Sequence, residues 1–238
     1  TLMIILTVVF ILVRQMPIEG YFENIDKLDD AVIQATLDKM GLNDPILVQL
    51  KNFFVRLFQG DLGTSARYSV GVPITEIIAA KAPISIRMGL LSMVLSMALG
   101  IPLGSAMARS KNRLWDKFGT VFIVLVNAVP SAVYYIYIQS YGSMALGVSM
   151  LFDADNWVSW ILPVVSMSLG NIAYYAMWLR RYMVDELNKD YVRLARAKGV
   201  NSKDITKHHV FRNAFVPMIQ YIPTSLLYTV GGSIYIES

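Results

Sequence analysis

The chain contains no cysteine and only two histidines, and charged residues make up just 16% of its 238 positions. Without cysteine there can be neither a disulfide nor a thiolate metal site. The histidines, His208 and His209, are adjacent, so their side chains point about 100° apart on a helix and a metal pair is not expected. A soluble domain has about 25% charged residues, so the low charge already argues against that class.

Motifs of nucleotide-binding proteins and hydrolases are also missing. The sequence has no G-x-x-x-x-G-K-[ST], no H-E-x-x-H and no G-x-S-x-G, so we expect this chain neither to cradle nucleotide phosphates nor to act as an enzyme. The net charge is +4, but the basic residues flank apolar segments. Membrane topology explains that placement better than nucleic-acid binding does.

Apolar residues are abundant instead, at 55% of the chain with a mean hydropathy of +0.49. Together with the clustered charges, this predicts an all-α, polytopic membrane protein. The first apolar stretch covers only about 20 Å of a bilayer core of about 30 Å, so we expect the chain to begin partway along that span. The five predicted spans are Thr1–Val13, Ile84–Ala108, Phe118–Ile138, Trp157–Leu179 and Met218–Ile236.

Charge asymmetry orients these spans. The loops at 109–117 and 180–212 are basic, whereas the 15–83 segment and the 139–156 loop are acidic, so the basic loops are predicted to be cytoplasmic. We therefore divide the chain into residues 1–83, a first span with an extracytoplasmic segment, and residues 84–238, a transmembrane core with a cytoplasmic loop at 180–217. Within the external segment, Ala31–Met40 and Pro45–Phe58 are predicted helices. The face formed by residues 53, 54, 57 and 58 is predicted to be buried over the outer end of the bundle.

The loop Asp190–Pro217 is predicted to form a helix, a glycine break and a second helix. Tyr191, Leu194 and Ala195 lie at i, i+3 and i+4 and form a narrow apolar face. Asn188 or Asp190 can cap the first helix, and Asn201 or Ser202 the second. Gly199 follows Lys198, where a left-handed residue is commonly needed, and Pro217 is expected to begin the next apolar run. Such a hairpin between two spans suits contact with a partner, although a solvated basic loop is the alternative.

Two motifs resemble those of a known family. Ala195, three residues and Gly199, followed by R-N-A-x-x-P from Arg212 to Pro217, resemble the cytoplasmic "EAA" loop of ABC-importer permeases. The pattern GL-x-x-P followed by GDLG-x-S, within 37–65, is similar to the external segment of the B-type subunit of oligopeptide, dipeptide and nickel importers.

Two departures and one further pattern bear on this resemblance. Arg193 and Leu194 stand where the family has a glutamate and an alanine, so a salt bridge from that glutamate is not carried over. The family has one more span after the GG-x-x-x-x-E pattern seen at 231–237, so we expect a sixth span beyond the five.

The resemblance implies a type I ABC importer transmembrane domain in the bacterial plasma membrane. It implies a second permease subunit, two cytoplasmic ATPase subunits that carry ATP and Mg²⁺, and an extracytoplasmic solute-binding protein. This chain itself would bind no cofactor. Peptides are the expected solute, with nickel or another small chelate as the alternative; a passive channel or an intramembrane enzyme would be a different class. The residues expected to couple the chain to an ATPase are Tyr191, Arg193, Leu194, Ala195, Lys198, Gly199, Ser202, Arg212, Asn213 and Pro217.

Polar residues inside predicted spans are candidates for a translocation path, because lipid makes them costly. Asn127 lies beside the bend expected at Pro130, and Asn171 follows Gly170, where freed backbone carbonyls can also line a cavity. We expect both asparagines to face the interior of the bundle. Hydrogen bonding between helices is the alternative reading for any one of these residues. The candidates are Asn127, Ser131, Asn171, Tyr174 and Gln220.

Overall fold

A computed structural model describes residues 1–22, 29–65, 69 and 71–224. The regular structure of this part is helical, with an isolated antiparallel bridge between Thr64 and Pro73. The chain divides into two compact units, Thr1–Ala82 and Pro83–Ser238, and each is described by itself below.

The first unit contains α1 (Leu2–Arg14), α2 (Asp30–Lys39) and α3 (Ile46–Phe58), with a 3₁₀ turn at Ile18–Tyr21. Local signals place α2 and α3. The Asp29 side chain accepts a hydrogen bond from the Ala31 N–H at 3.3 Å and so caps α2. Pro45, with φ −55°, immediately precedes α3, where its fixed φ suits a helix start. The two helices predicted in this segment are therefore confirmed to within a residue or so.

Aromatic rings join α1 to α3. The Phe10 ring lies 5.0 Å from the Phe53 ring, and the Phe53 and Phe54 rings lie 5.2 Å apart. Phe54 and Leu57 are half-buried, but Phe58 is 76% exposed, so the predicted burial of the whole Phe-rich face is wrong at Phe58. Five residues along an α-helix correspond to a rotation of about 140°, so Phe58 cannot share the direction of Phe53.

The second unit holds the remaining helices. The unit begins at Pro83, within α4 (Ile74–Arg109), and its last three helical elements, from Ser202 to Ile219, follow one another without a break. The elements of this unit are α4, α5 (Leu114–Ala128), α6 (Ser131–Leu146), a 3₁₀ turn (Trp157–Trp160), α7 (Ile161–Leu187), α8 (Asp190–Ala197), α9 (Ser202–Asp204), a π-helical segment (Ile205–Val210) and α10 (Phe211–Ile219).

Two helical segments are long and apolar enough to cross a membrane, Ile74–Arg109 and Trp157–Leu187, and they contain the predicted second and fourth spans. α1 is a shorter apolar helix of 13 residues. The predicted fifth span, Met218–Ile236, lies within the described residues only as far as residue 224, and the pattern at 231–237 lies outside them. The described residues thus contain two spans, or three if α5 and α6 form one.

The predicted third span is not one straight helix. α5 and α6 are bent by 101° relative to each other. Val129 is extended, with φ −100° and ψ 128°, because the ring of Pro130 disfavours helical geometry in the residue before it. The predicted end at Ile138 is also wrong, since α6 continues to Leu146 and ends at Gly147, which is left-handed with φ 66°. The loop expected from residue 139 therefore begins eight residues later.

Small residues at four-residue spacing join α4 closely to α7. The Ser96 hydroxyl donates to the Ser168 carbonyl at 3.1 Å. A Cβ on Gly104 would lie only 2.6 Å from the Ala176 carbonyl oxygen, so no larger residue fits there. Close approach through small residues is typical of helix pairs in membranes, where dispersion contacts replace the hydrophobic effect. We call this contact between α4 and α7 the small-residue seam. On the α4 side it consists of Ser92, Ser96, Gly100 and Gly104.

Candidate functional site

The basic loop folds as a hairpin of two helical arms, residues 190–217, hereafter the hairpin. A Schellman turn joins the arms: the Gly199 N–H donates to the Arg196 carbonyl at 3.0 Å, and the Val200 N–H donates to the Ala195 carbonyl at 3.1 Å. Gly199 has φ 75°, so its predicted left-handed conformation is confirmed. A Cβ there would meet no atom within 4 Å, so backbone strain alone favours glycine at this position.

The caps of the two arms differ. The Asn201 side chain accepts from the Lys203 N–H at 3.1 Å and caps the second arm, which decides between the two residues predicted for that role. Lys189 stands at the N-cap of α8 without a side-chain hydrogen bond, so neither predicted cap is used there. Asn188 does not cap α8 because its side-chain amide is already used at the end of α7, where it donates to the Val184 carbonyl at 3.0 Å. Asp190 instead begins the helix.

A buried apolar core fixes the hairpin to α7. Val192, Ile205 and Val210 are at most 1% exposed and belong to one cluster with Leu179 and Met183 of α7. Packing of this kind holds the hairpin against α7 as a single body. The predicted apolar face did not include Val192. The signal was present in the sequence, because a lone valine among polar residues precedes Ala195 by three positions.

The π-helical segment explains how the second arm reaches this core twice. Ile205 and Val210 are five residues apart and both buried. In an α-helix they would point about 140° apart, whereas the wider π turn brings residues at this spacing toward one side. His208 and His209 lie in the same segment and are exposed.

A hydrogen bond also ties the first arm to α7. The Tyr191 hydroxyl donates to Glu186 Oε2 at 2.6 Å. Burial raises the pKa of Tyr191, and the bond to Glu186 raises it further, against the opposing influence of Asn213. The hydroxyl therefore stays protonated and remains a donor at neutral pH. The Tyr191 ring lies 6.5 Å from that of His209, so Tyr191 bridges both arms.

The surface that α8 turns to solvent is cationic, with Leu194 as its exposed large apolar residue; elsewhere in the hairpin, Val200 and Val216 are also exposed. Leu194 is 57% exposed, unlike its half-buried neighbours Tyr191 and Ala195 on the predicted face. The predicted face is thus split between the core and the surface. The exposed basic residues around Leu194 and along the second arm are Arg193, Arg196, Lys198, Lys203, Lys207 and Arg212.

The other predicted coupling residues lie at the following places. Gly199, Ser202, Arg212 and Asn213 are exposed. Pro217 is half-buried inside α10, so the helix continues through the residue at which the next apolar run was predicted to begin. Its neighbours Ala214 and Met218 are each 1% exposed in the core against α7, and this packing carries the helix through the proline.

An ion pair that sequence reasoning did not identify lies next to the hairpin. Both oxygens of Asp116 accept from Arg180, which donates through Nε and through Nη2, the latter at 2.7 Å. Asp116 is 4% exposed and also accepts from the Asn112 N–H at 2.8 Å. The pair ties the 109–117 loop to α7 in the bidentate geometry that arginine favours. Its signal was that Asp116 is the one acidic residue in that basic loop.

The predicted path residues are not brought together as a group. Asn127, Ser131 and Gln220 are exposed, and Asn171 is half-buried. The expected interior position of Asn127 is wrong within this chain, because α5 ends at the next residue and the chain then bends away from it. Tyr174 is half-buried in an aromatic cluster, with its ring 6.2 Å from that of Trp178 and 5.9 Å from that of Tyr221.

Metal binding has no candidate among residues 1–22, 29–65, 69 and 71–224, because no three histidine, aspartate or glutamate side chains cluster there in a way that could hold an ion.

Comparison with known proteins identifies relatives along the chain. The AmiC oligopeptide transport system permease protein of Streptococcus pneumoniae is 41% identical over 152 residues, which is 63% of this chain and 30% of AmiC. The DppB dipeptide transport system permease protein of Lactococcus lactis subsp. cremoris is 32% identical over 241 residues, covering 100% of this chain and 77% of DppB. The GsiC glutathione transport system permease protein of Salmonella typhimurium is 30% identical over 243 residues, with the same coverage of 100% and 77%.

The chain thus spans less than a third of the length of AmiC and about three quarters of that of DppB and GsiC. The family described as "Binding-protein-dependent transport system inner membrane component" matches residues 100–238, which contain Gly100 and Gly104 of the small-residue seam, the ion pair and the hairpin. With a family match over more than half of its length and with DppB aligned along all of it, the chain belongs to the inner membrane components of binding-protein-dependent transport systems.

Proposed function

We propose that this chain is a permease subunit of an ATP-driven peptide importer, a multi-pass protein of the bacterial plasma membrane that forms a translocation path with a second permease. Its family and the names of its relatives, which are permeases for oligopeptides, a dipeptide and glutathione, support this role. The chain would carry out no covalent chemistry. ATP and Mg²⁺ would be held by two ATPase subunits, and a binding protein outside the membrane would deliver the solute.

The hairpin is the proposed docking element for an ATPase subunit. One observation carries this step: Leu194 projects into solvent from an arm whose opposite side is fixed to α7 through Val192. A loosely held loop would absorb a displacement, whereas a packed body transmits it. Movement of the ATPase subunits would thus reach α7, and through the small-residue seam it would reach α4.

The orientation follows from charge. The basic residues of the hairpin and of the 109–117 loop favour the cytoplasmic side, where the ATPase subunits lie. Residues 1–83 then form a first span and an extracytoplasmic segment, and residues 84–238 form the transmembrane core. The Asp116–Arg180 pair would hold the two cytoplasmic loops of that core in register.

A path shared between two permeases accounts for the exposed polar residues. Asn127 and Ser131 flank the α5–α6 bend on the surface of this chain, and an asparagine left in lipid without a partner costs several kcal/mol. We therefore place both at a water-filled path facing the second permease, with Asn171, Tyr174 and Gln220 as further candidates.

The test is Leu194→Asp in the complex reconstituted in vesicles with both permeases, the ATPase subunits and the binding protein. Excluding a leucine from an apolar groove loses about 1.5–3 kcal/mol, which corresponds to roughly tenfold weaker docking or more. We expect solute-stimulated ATP hydrolysis and uptake to fall together, while membrane insertion stays normal. Leu194→Met is the matched control, since it keeps an apolar side chain of similar volume and should remain coupled.

Full coupling in Leu194→Asp would mean that the hairpin is only a solvated loop. Uptake that continues without the ATPase subunits would instead indicate a passive channel. Co-purification of the subunits separates the two ways in which Leu194→Asp can fail: lost docking removes the ATPase subunits, whereas a defect after docking leaves them bound.

A further inference from the structure

The helix α3 of the first unit has three distinct sides. One side packs inward, with Leu50, Phe53 and Leu57 half-buried. A second side is polar and exposed, with Asn52 and Arg56 on the helix and Gln59 at its C-cap. The third side is apolar yet exposed, which is unusual for a helix that already buries one apolar face. Its exposed fractions are 75% at Leu47, 42% at Val48, 45% at Val55 and 76% at Phe58.

These four apolar residues form a continuous stripe, hereafter the α3 stripe. At 100° per residue they fall within an arc of about 100° along the whole helix. Lys51 lies in the same arc and is exposed, and its long stem allows the ammonium group to reach past an apolar surface into water. No acidic residue of α3 interrupts the stripe, since the helix contains none.

The inward side of α3 rests on α1, an apolar helix. The Phe10 and Phe53 rings lie 5.0 Å apart. Phe10 is about 6 Å along the helix axis from Arg14, the last residue of α1. In a membrane protein of this family, a charged residue that ends an apolar helix marks the level of the headgroups. The contact with α1 therefore places α3 within a few ångströms of that level.

The apolar surface of α1 is itself exposed and consists of residues suited to lipid. Ile4 is 68% exposed, Val8 50% and Leu12 60%. The α3 stripe is a further exposed apolar surface of the same unit. Around α3, the polar side lies about 120° from the side packed on α1, and the stripe lies about 140° from it in the opposite direction. One continuous medium can thus cover both α1 and the stripe while leaving Asn52 and Arg56 in water.

We propose that α3 is an interfacial helix whose α3 stripe inserts into the lipid bilayer at the surface where α1 ends. Amphipathic helices of this kind bury their apolar side about 5–10 Å into the boundary between headgroups and acyl chains, and basic residues favour anionic lipid there. The helix would fix the depth of the first unit at the membrane. This inference requires α1 to lie in the bilayer but does not depend on the role proposed for the hairpin.

The test uses the absence of cysteine from the chain. Single variants Val55→Cys and Phe58→Cys on the stripe, with Asn52→Cys and Arg56→Cys on the polar side as matched controls, are labelled with a nitroxide. They are measured in the assembled transporter in vesicles containing anionic phospholipid. Oxygen, which concentrates in lipid, and a water-soluble nickel chelate report the surroundings of each label by electron paramagnetic resonance.

The expected result is a several-fold higher ratio of oxygen to nickel accessibility at 55 and 58 than at 52 and 56. Water-like ratios at 55 and 58 would overturn the proposal, because the stripe would then be solvated. Labels at 55 and 58 that neither reagent reaches would also overturn it, since protein would cover the stripe. Immobilisation of those labels on addition of the binding protein would mean that the stripe is a docking surface for that protein instead.

Separate controls keep the result independent of misfolding and of the proposed transport function. Each labelled variant should show the melting temperature of the cysteine-free protein, because all four positions are exposed and exposed substitutions usually change stability little. Leu47→Cys, at the other end of the stripe, provides a second position if one stripe variant fails to assemble. The α3 result would stand even if Leu194→Asp left transport intact.

Discussion

Two helices of this protein, α3 and α8, combine an inward packed side with exposed apolar residues, and they do so to different extents. α3 exposes five large apolar residues, four of which form the stripe along its length, whereas Leu194 is the exposed large apolar residue of α8 and lies among basic side chains. The inward sides also differ: Phe53 of α3 packs on the apolar α1, and Val192 of α8 packs on the end of α7 that continues beyond the predicted fourth span.

The extent of the exposed apolar surface separates the two kinds of partner. A stripe along a whole helix can be covered by a continuous medium such as lipid, which needs no shape complementarity. A single apolar side chain ringed by cations suits a pocket in another protein, where one buried anchor carries much of the binding energy and the charges steer association. An amphipathic helix can therefore face either lipid or another protein, and the element that its packed side contacts indicates which.

The largest expected effect is that of Val192→Asp, which would remove the hairpin from its base. Val192 is 0% exposed, and an unpaired charge at such a site costs at least about 3 kcal/mol. We expect the amides of residues 190–214 to lose protection in hydrogen exchange and the ATPase subunits to dissociate.

Ala197→Asp is the matched control, since Ala197 is exposed on the same helix and should cost below about 1 kcal/mol. Equal loss of protection in both variants would show that Val192 is not the anchor, and the contrast between a packed α8 and a membrane-resting α3 would weaken.

A smaller effect is expected from changes at Gly199. A Cβ there meets no neighbour, so only the left-handed backbone, at φ 75°, resists substitution, at about 1–2 kcal/mol for a β-branched residue. Gly199→Val should therefore lower the melting temperature slightly and reduce the coupling of ATP hydrolysis to solute.

Gly199→Asn should behave nearly as the unchanged chain, because asparagine tolerates this conformation. If both variants were equally impaired, contact of Gly199 with a partner, rather than backbone strain, would be the cause.

The smallest effects on stability come from Leu194→Ser and Phe58→Ser, which test the comparison directly. Both side chains are more than half exposed, so each change should alter the unfolding free energy of the protein in detergent by no more than about 0.5 kcal/mol. In vesicles the two variants should have different effects. Leu194→Ser should weaken binding of the ATPase subunits, and Phe58→Ser should raise hydrogen exchange in α3. Loss of ATPase binding in Phe58→Ser would contradict the assignment of the two surfaces.

Local chemistry made much of the fold predictable. The Asp29 cap and Pro45 defined α2 and α3, and Gly199 defined the hairpin turn, because each acts through neighbouring backbone groups. The predicted helix boundaries were wrong where one residue could act on either of two neighbouring segments. Asn188 serves the end of α7 rather than the start of α8, and Pro130 breaks the apolar run that hydropathy alone joined into one span.

The position of the candidate site along the chain could be predicted from the sequence, but its tertiary contacts could not. The hairpin, its glycine and its basic surface followed from composition and spacing. Its anchor at Val192 and the Asp116–Arg180 pair were not predicted. A lone valine or a lone aspartate stands out in its own segment, but the segment does not show which distant residue it contacts, and the ion pair joins residues 64 apart.

By itself, the sequence of this protein determined the membrane class, the helical hairpin and its turn, since hydropathy, charge and glycine act over short stretches of chain. Tertiary structure alone decided which apolar side chains are buried. On α8 it buried Val192 and left Leu194 exposed, and on α3 it buried part of Phe53 and exposed Phe58. The reason is that an amphipathic helix offers several apolar directions, and only the position of α1 or α7 selects the one that packs.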